Sequence, residues 1–336
     1  MKRILLAFAA LASAIACGNT DFDPQNKVDG VRILSSRADK PYAKPGDTVN
    51  LELLVADGRV EKPRPVVTAW IPIPCINPPE DLYYLCFTGS SGSTGSSSTG
   101  GQGPLGQLRP GQDVTRFLPQ GPTYSFKMPD NVIIPRKSGE PYGLAILFNI
   151  VCAGRILIDE VDPSKGVQQV PISCVDEYGE KLPPTQYVIG LTRVYAYANR
   201  VNNNPVIEGL TFQGAPVDPK VGITVDRCTA KDVDKLQDCP ELKLDVQVPA
   251  ASNELNEGEK DVDGTPLREL VWASFFASTG TFDGDARLLY DTRTGKVGDT
   301  VIRYLPPAIP GDGTLWTVVK DNRGGAVWTD FPVHVK

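Results

Sequence analysis

One histidine is all this 336-residue chain has, His334, two residues from its end. It alternates with Val333 and Val335, as in a terminal strand, so it reads as a strand residue and not as the base of a Ser-His-Asp triad. No CxxC pair occurs either, which removes the usual zinc-ligand spacing. Basic residues never cluster. Thirty-four Lys and Arg against forty Asp and Glu give a net charge of −6. Such a chain has no electrostatic footprint for nucleic acid and no polybasic patch for anionic lipid. The Gly-rich stretch GSSGSTG lacks the lysine of a phosphate loop and is not framed by strand and helix. No segment shows a helical 3.6-residue period, and thirty prolines with thirty-two glycines would interrupt most helices. These absences predict a chain without cofactor, metal or enzymatic chemistry.

What is present begins at the N-terminus. Lys2 and Arg3 precede an apolar run from Ile4 to Ala12, followed by Ser13-Ala14-Ile15-Ala16 and then Cys17. That layout is a secretory signal peptide, too short for a permanent membrane span. A cysteine directly after small residues resembles the lipobox of bacterial lipoproteins. An ordinary signal peptide with an incidental cysteine is the plainer reading. The resemblance implies cleavage after residue 16, acylation of Cys17, and attachment to the lipid bilayer through its acyl chains. Loss of Lys2 and Arg3 with the leader would leave the mature chain at −8. Gly18, where an Asp would retain such a protein in the inner membrane, implies the outer membrane.

Six further cysteines remain: Cys75, Cys86, Cys152, Cys174, Cys228 and Cys239. An even number in an exported chain predicts disulfides. Cys228 and Cys239 share a short segment and are expected to pair. Of the three ways to join the other four, Cys75–Cys86 and Cys152–Cys174 close the shortest loops.

Residues 17–27 are polar and read as a lipidated tether. From Val28 the chain becomes short apolar runs separated by Pro, Gly and Asp. Val31, Ile33 and Ser35 alternate with their neighbours. Asn50 to Val55, Val66 to Ile73 and Tyr124 to Met128 follow as strands. Tyr142 to Val151 is almost wholly apolar, as for a central strand covered on both faces. Tyr187 to Tyr197 completes the first set. Residues 199–205, NRVNNNP, read as a hinge. The pattern then restarts at Val206 and runs through Leu242 to Val248, Leu270 to Phe276 and Thr300 to Tyr304. It ends in a hairpin with Leu315 to Val319 and Ala326 to Val335 around an Asn/Gly turn. The low-complexity insertion 89–103 cannot contribute a core.

Trp70 and Trp272 each sit on what would be the third strand of a unit, and Gly313 to Trp328 looks like the closing hairpin of bacterial PKD-like modules. Both halves therefore resemble immunoglobulin-like β-sandwiches. The resemblance implies an all-β fold of two antiparallel sandwiches in tandem, spanning 28–198 and 206–336. It carries little functional information.

Two acidic turns are weak candidates for calcium. Asp261, Asp263 and Gly264 echo an EF-hand loop, but Leu270 stands where its bidentate Glu is required. Asp283 and Asp285 flank Gly284 in the second turn. Solvated turns carry such carboxylates without any ion. Aromatic residues suggest a possible binding face: Tyr83 with Tyr84, Tyr195 with Tyr197, and Trp316 opposite Trp328 as a cross-strand pair. The functional expectation is a non-enzymatic envelope lipoprotein, a spacer and protein-interaction module with an envelope protein or glycan partner. The alternative is a lipoprotein that binds a glycan or small ligand through aromatic or acidic loops. A hydrolase ranks third.

Overall fold

The computed structural model describes residues 24–87, 109–160, 170–229 and 239–336. The leader, Cys17 and the 89–103 insertion lie outside the described residues. The fold is all-β, with only short 3₁₀ turns besides strands among the described residues.

Among the described residues, ten strands build the first unit: β1 (Val31–Ala38), β2 (Tyr42–Ala43), β3 (Thr48–Asp57), β4 (Val67–Trp70), β5 (Cys75–Ile76), β6 (Thr123–Lys127), β7 (Gly143–Cys152), β8 (Arg155–Ile158), β9 (Ile172–Val175) and β10 (Tyr187–Ala196). One sheet has the order β1-β3-β6, and the facing sheet runs β2-β10-β7-β4, with β5 also on β7. Every pairing is antiparallel except β2 with β10.

The second unit comprises β11 (Gly209–Phe212), β12 (Ala215–Pro216), β13 (Ile223–Val225), β14 (Leu242–Gln247), β15 (Leu255–Lys260), β16 (Pro266–Arg268), β17 (Val271–Ala277), β18 (Thr281–Phe282), β19 (Ala286–Asp291), β20 (Gly295–Lys296), β21 (Ile302–Leu305), β22 (Gly311–Asp321) and β23 (Ala326–Val335). Its sheets run β12-β11-β14-β21-β18 and β13-β23-β22-β17-β19-β20. Here too a short strand, β13, lies parallel to the last long strand, β23. Two antiparallel sheets, with the final two long strands side by side in one of them, give each unit an immunoglobulin-like layout.

The cores follow the alternation of the strands. Val49, Leu51 and Leu53 of β3 meet Trp70, Ala145, Leu147 and Val194 between the first pair of sheets. In the second unit Leu244, Val246, Val271, Phe275, Tyr304, Leu315, Val319 and Phe331 fill the gap. Strand β7 is buried at all ten positions. Its second face, with Leu144, Ile146, Phe148 and Ile150, lies under a third layer. That layer includes the β8–β9 hairpin, Val114 and Leu118. Gly190 of β10 stands opposite Asn149, whose side chain occupies the space a Cβ would take.

All three disulfides form: Cys75–Cys86, Cys152–Cys174 and Cys228–Cys239. The first two tie the third layer to β5 and β7. This layer has few ladder bonds to the sheet beneath it. Covalent closure therefore replaces hydrogen bonding, each bridge contributing on the order of 2–4 kcal/mol.

The two tryptophans on the third long strands differ. Trp70 is buried, and its indole N–H donates to the Gly121 carbonyl at 3.1 Å. Trp272 lies on the outer face, because Val271, Ala273, Phe275 and Ala277 supply the inward side of β17. Trp316 and Trp328 are not directly opposed either. Trp316 pairs with Asp330 and Trp328 with Val318, two residues apart along the hairpin.

Candidate functional site at the junction of the two sandwiches

The sandwiches pack side by side. Strand β1 lies along the outer face of the β17-β22-β23 sheet. At its lower end the preceding residues form a strap on the second unit. The Val28 N–H donates to the Ala277 carbonyl, and the Ala277 N–H to the Asn26 carbonyl, both at 2.8 Å. Asn26 is buried. Its amide donates to the Phe282 and Gly284 carbonyls at 3.3 and 3.1 Å, and its oxygen accepts from the Thr281 hydroxyl at 2.7 Å. Residues 24–27, expected as free tether, are thus part of the folded block.

A β-bulge between Ile33 and Ser35 sets which face the rest of β1 presents. It leaves Leu34 and Ser35 on the same side and shifts the alternation after them, so that Ile33 and Ala38 pack inward while Leu34 and Arg37 face the second unit. Leu34 joins Val28, Ala56, Leu54, Phe276 and Trp316 in a small apolar cluster shared by the units. Three arginine–aromatic contacts frame it. Arg32 lies over Phe276 at 5.7 Å, Arg37 over Trp328 at 4.3 Å, and Arg323 of the second unit over Tyr42 of the first at 4.8 Å. Glu52 fixes Arg37 with bonds of 2.9 and 2.6 Å. Guanidinium planes on aromatic faces contribute most where water is displaced.

At the upper end the asparagines of the 199–205 segment engage side chains and backbone on both units. Asn202 approaches Asp321 at 3.5 Å, and Asn203 donates to Glu254 at 2.6 Å. Asn204 accepts from the Ala326 N–H at 2.9 Å and donates to the Ala38 carbonyl at 2.8 Å, joining both units through one side chain.

Beneath this clasp lies a buried charge cluster. Asp321 caps its own turn, accepting from the Arg323 and Gly325 N–H groups at 2.7 and 2.8 Å. Arg323 faces Glu269 at 3.0 Å and donates to the Val201 carbonyl at 2.5 Å. Neither Glu269 oxygen makes an aligned hydrogen bond. Burial, reinforced by the nearby Asp321 charge and only partly opposed by Arg323, pushes the Glu269 carboxyl up to about 8. Burial also raises Asp321. One arginine between two buried carboxylates leaves an excess negative charge unless one carboxyl holds a proton.

Beside Tyr42, three more tyrosines carpet the outer face of the first unit. Tyr197 sits 4.6 Å from Tyr42, and Tyr142 lies 5.7 and 5.8 Å from Tyr195 and Tyr197. Their planes are tilted by 39–60°. Arg136 covers Tyr142 at 3.9 Å and pairs with Asp81 at 3.0 Å, while Arg200 lies over Tyr197 and pairs with Glu140 at 2.8 Å. The Tyr142 hydroxyl donates to Asp81. Burial and that hydrogen bond raise Tyr142 to about 12. The ring faces are tilted and roofed by guanidinium groups, unlike the flat open row a sugar stacks on.

The acidic turns are internally satisfied. Asp261 accepts from the Asp263 and Thr265 N–H groups at 2.9 Å and faces Arg293 at 3.5 Å. Asp283 accepts from Arg287 at 2.7 Å and from the Arg303 N–H at 3.0 Å. Asp263 and Asp285 belong to these same turns. Among the described residues no group of three His, Cys, Asp or Glu side chains converges as a metal site. His334 pairs with Asp312 at 2.8 Å on the surface. Tyr83 and Tyr84 meet edge to face at 5.7 Å.

Sequence reasoning missed Asn26, Leu34, Glu269, Asp321 and Arg323. The only available signal was an acid and an arginine in otherwise apolar surroundings, Glu269 before Leu270-Val271 and Arg323 in the hairpin turn.

No protein-family model matches this chain, and no curated protein matches its sequence. Among solved structures it aligns with dimeric latent PorU from Porphyromonas gingivalis at 12% identity and a TM-score of 0.21, over 92% of this chain and 24% of that one. It thus spans about a quarter of that protein's length. Extracellular domains 3–5 of Drosophila OTK align at 10% identity over 94% and 98% of the two chains, with a TM-score of 0.17. Three N-terminal domains of the bacteriophage RB49 outer capsid protein Hoc align at 10% over 91% and 99%, with a TM-score of 0.16. Likenesses this slight carry no argument, and the description of the fold rests on its own strand pairings.

Proposed function

We propose that this chain is a non-enzymatic envelope lipoprotein, lipid-anchored at Cys17 in the outer membrane, whose two sandwiches act as one rigid interaction block. The observation that supports a scaffold is the junction. Strap, bulge, arginine stacks and asparagine clasp fasten the two units at both ends of β1. A flexible pair of modules would have no use for that cost in ordered side chains. The Lys2-to-Cys17 leader supports export and acylation. A glycan-binding role has less support, because arginines occupy the tyrosine faces. Cys17→Ser should move the protein from the membrane to a soluble exported fraction, with loss of the acyl mass. Retention of that variant in the membrane would refute the anchor. Affinity capture of the acylated protein from the envelope, after cross-linking, should return a stable protein partner. Recovery of free glycan instead would favour the alternative.

A further inference from the structure

The strap fixes where the chain leaves the folded block. Residue 24 emerges beside Ala277, where β17 ends and β22 begins, the lower end of the second sandwich. Pro24 lies seven residue steps from Cys17, and fully extended these reach at most about 25 Å. Strand β22 has eleven residues, so the block is about 35 Å tall at roughly 3.3 Å per residue. A lipid at Cys17 therefore cannot let the molecule stand on its upper end.

Loops from both units converge at the lower end. In the first unit, Gly58 donates its N–H to the Gly30 carbonyl at 2.9 Å and packs against Val28 of the strap. The loop that follows exposes Val60 at 99%. Arg64 ties this loop to the 176–181 turn through Glu177 at 2.7 Å, and that turn exposes Tyr178 at 84%. In the second unit the proline-rich 306–310 loop exposes Ile309 at 78%. Its Pro307 carbonyl accepts from the Cys228 N–H at 3.1 Å, while Ser278 and Thr314 join the neighbouring turns at 3.0 Å. Three of the most exposed large apolar side chains thus stand on separate loops at the end where the tether emerges. Two comparably exposed ones stand elsewhere: Phe117 at 75% on the segment before β6, and Val262 at 93% at the opposite end, on a hairpin held to the β19–β20 turn by Asp261 and Arg293.

Resting on the lipid-anchor reading, we propose that this lower end is a bilayer-facing surface, with Val60, Tyr178 and Ile309 dipping into the headgroup region. The acyl chains at Cys17 hold the molecule at one point, and apolar side chains on a polar rim would fix which face it turns to the interface. The upper end, with the asparagine clasp, then points away from the membrane and is left for a partner.

The test uses the acylated full chain on vesicles of phosphatidylethanolamine and phosphatidylglycerol doped with a diazirine-bearing phospholipid. After illumination, peptides spanning 58–64, 176–181 and 306–312 should carry lipid adducts about fivefold or more above the 261–265 peptide, because only loops at headgroup depth meet the diazirine. Ile309→Asp, at an exposed position, should stay vesicle-bound yet lose most labelling of 306–312. Inserting about twenty Gly/Ser residues before Pro24 should even out the labelling, because the random-coil reach then exceeds the block. Labelling centred on 261–265, or evenly spread while the unmodified protein sediments with vesicles, would overturn the bilayer face and leave the anchor intact. Acylated protein that fails to sediment would overturn both.

Discussion

Glu269 is the residue whose chemistry departs furthest from its ordinary state. An unfolded glutamate releases its proton near pH 4.3, whereas the folded one keeps it up to about 8. Between those values the native state binds a proton that the unfolded state has lost. Stability from this group is therefore complete at acid pH and is lost as pH rises through about 8, at a slope of up to about 1.4 kcal/mol per unit. Asp321, also raised, adds in the same direction. Melting temperature should fall between pH 5 and 9, and Glu269→Gln should flatten that fall and stabilise the protein at the alkaline end. An unchanged slope in the variant would remove Glu269 from the account. Arg323→Ala should be the more damaging change. It leaves Asp321 and the Glu269 carboxyl buried without their cation and removes the stack on Tyr42, for a loss of about 3–5 kcal/mol in urea titrations at neutral pH.

At the scale of elements, the strap and the third layer of the first unit are held by quite different means. Asn26 holds the strap by hydrogen bonds to three residues of the second unit. Asn26→Ala should cost about 2 kcal/mol, from unpaired carbonyls as much as from lost bonds. It should also speed tryptic cleavage after Lys27, while cleavage elsewhere stays unchanged. The β8–β9 layer depends instead on the Cys152–Cys174 bridge. Replacing both cysteines by alanine should lower stability by about 3 kcal/mol. Hydrogen exchange should accelerate first in β8 and β9, not in β7 beneath them. Uniform acceleration through β7 would mean that the layer and the sheet unfold as one.

For the whole molecule, the side-by-side packing makes a specific prediction about its halves. A chain starting at Asn199 keeps the complete core around Phe275, Tyr304 and Phe331 and should fold. It also uncovers Phe276, Trp316, Val318 and Trp328, the face that β1 covers. An exposed apolar face of that kind drives association. The isolated half should therefore associate more strongly than the full chain in sedimentation experiments at equal concentration, and it should melt below the full chain. A monomeric half with the stability of the whole would show that the shared cluster contributes little.

Strand alternation, the doubly covered β7 and the three disulfides were legible because each depends on local signals. Period-two hydrophobicity, an unbroken apolar run and short cysteine separations survive without knowledge of distant partners. The immunoglobulin-like layout was expected from a resemblance carried by Trp70, Trp272 and the closing hairpin, and the strand pairings bear it out although Trp272 faces outward. The junction was not legible. Arg37 reaches Trp328 only because a bulge inserts a residue against β3 and reverses the alternation after Leu34, and Trp272, Trp316 and Trp328 meet solvent or the other unit according to register. Asn26 reads as tether until Ala277 and Thr281 come beside it from some 250 residues away. The amino-acid sequence alone thus determined the two all-β units and their covalent staples, because local period and spacing specify them. Only the tertiary structure decided how the units pack, because that depends on which outward faces fit one another, and no local pattern encodes the fit.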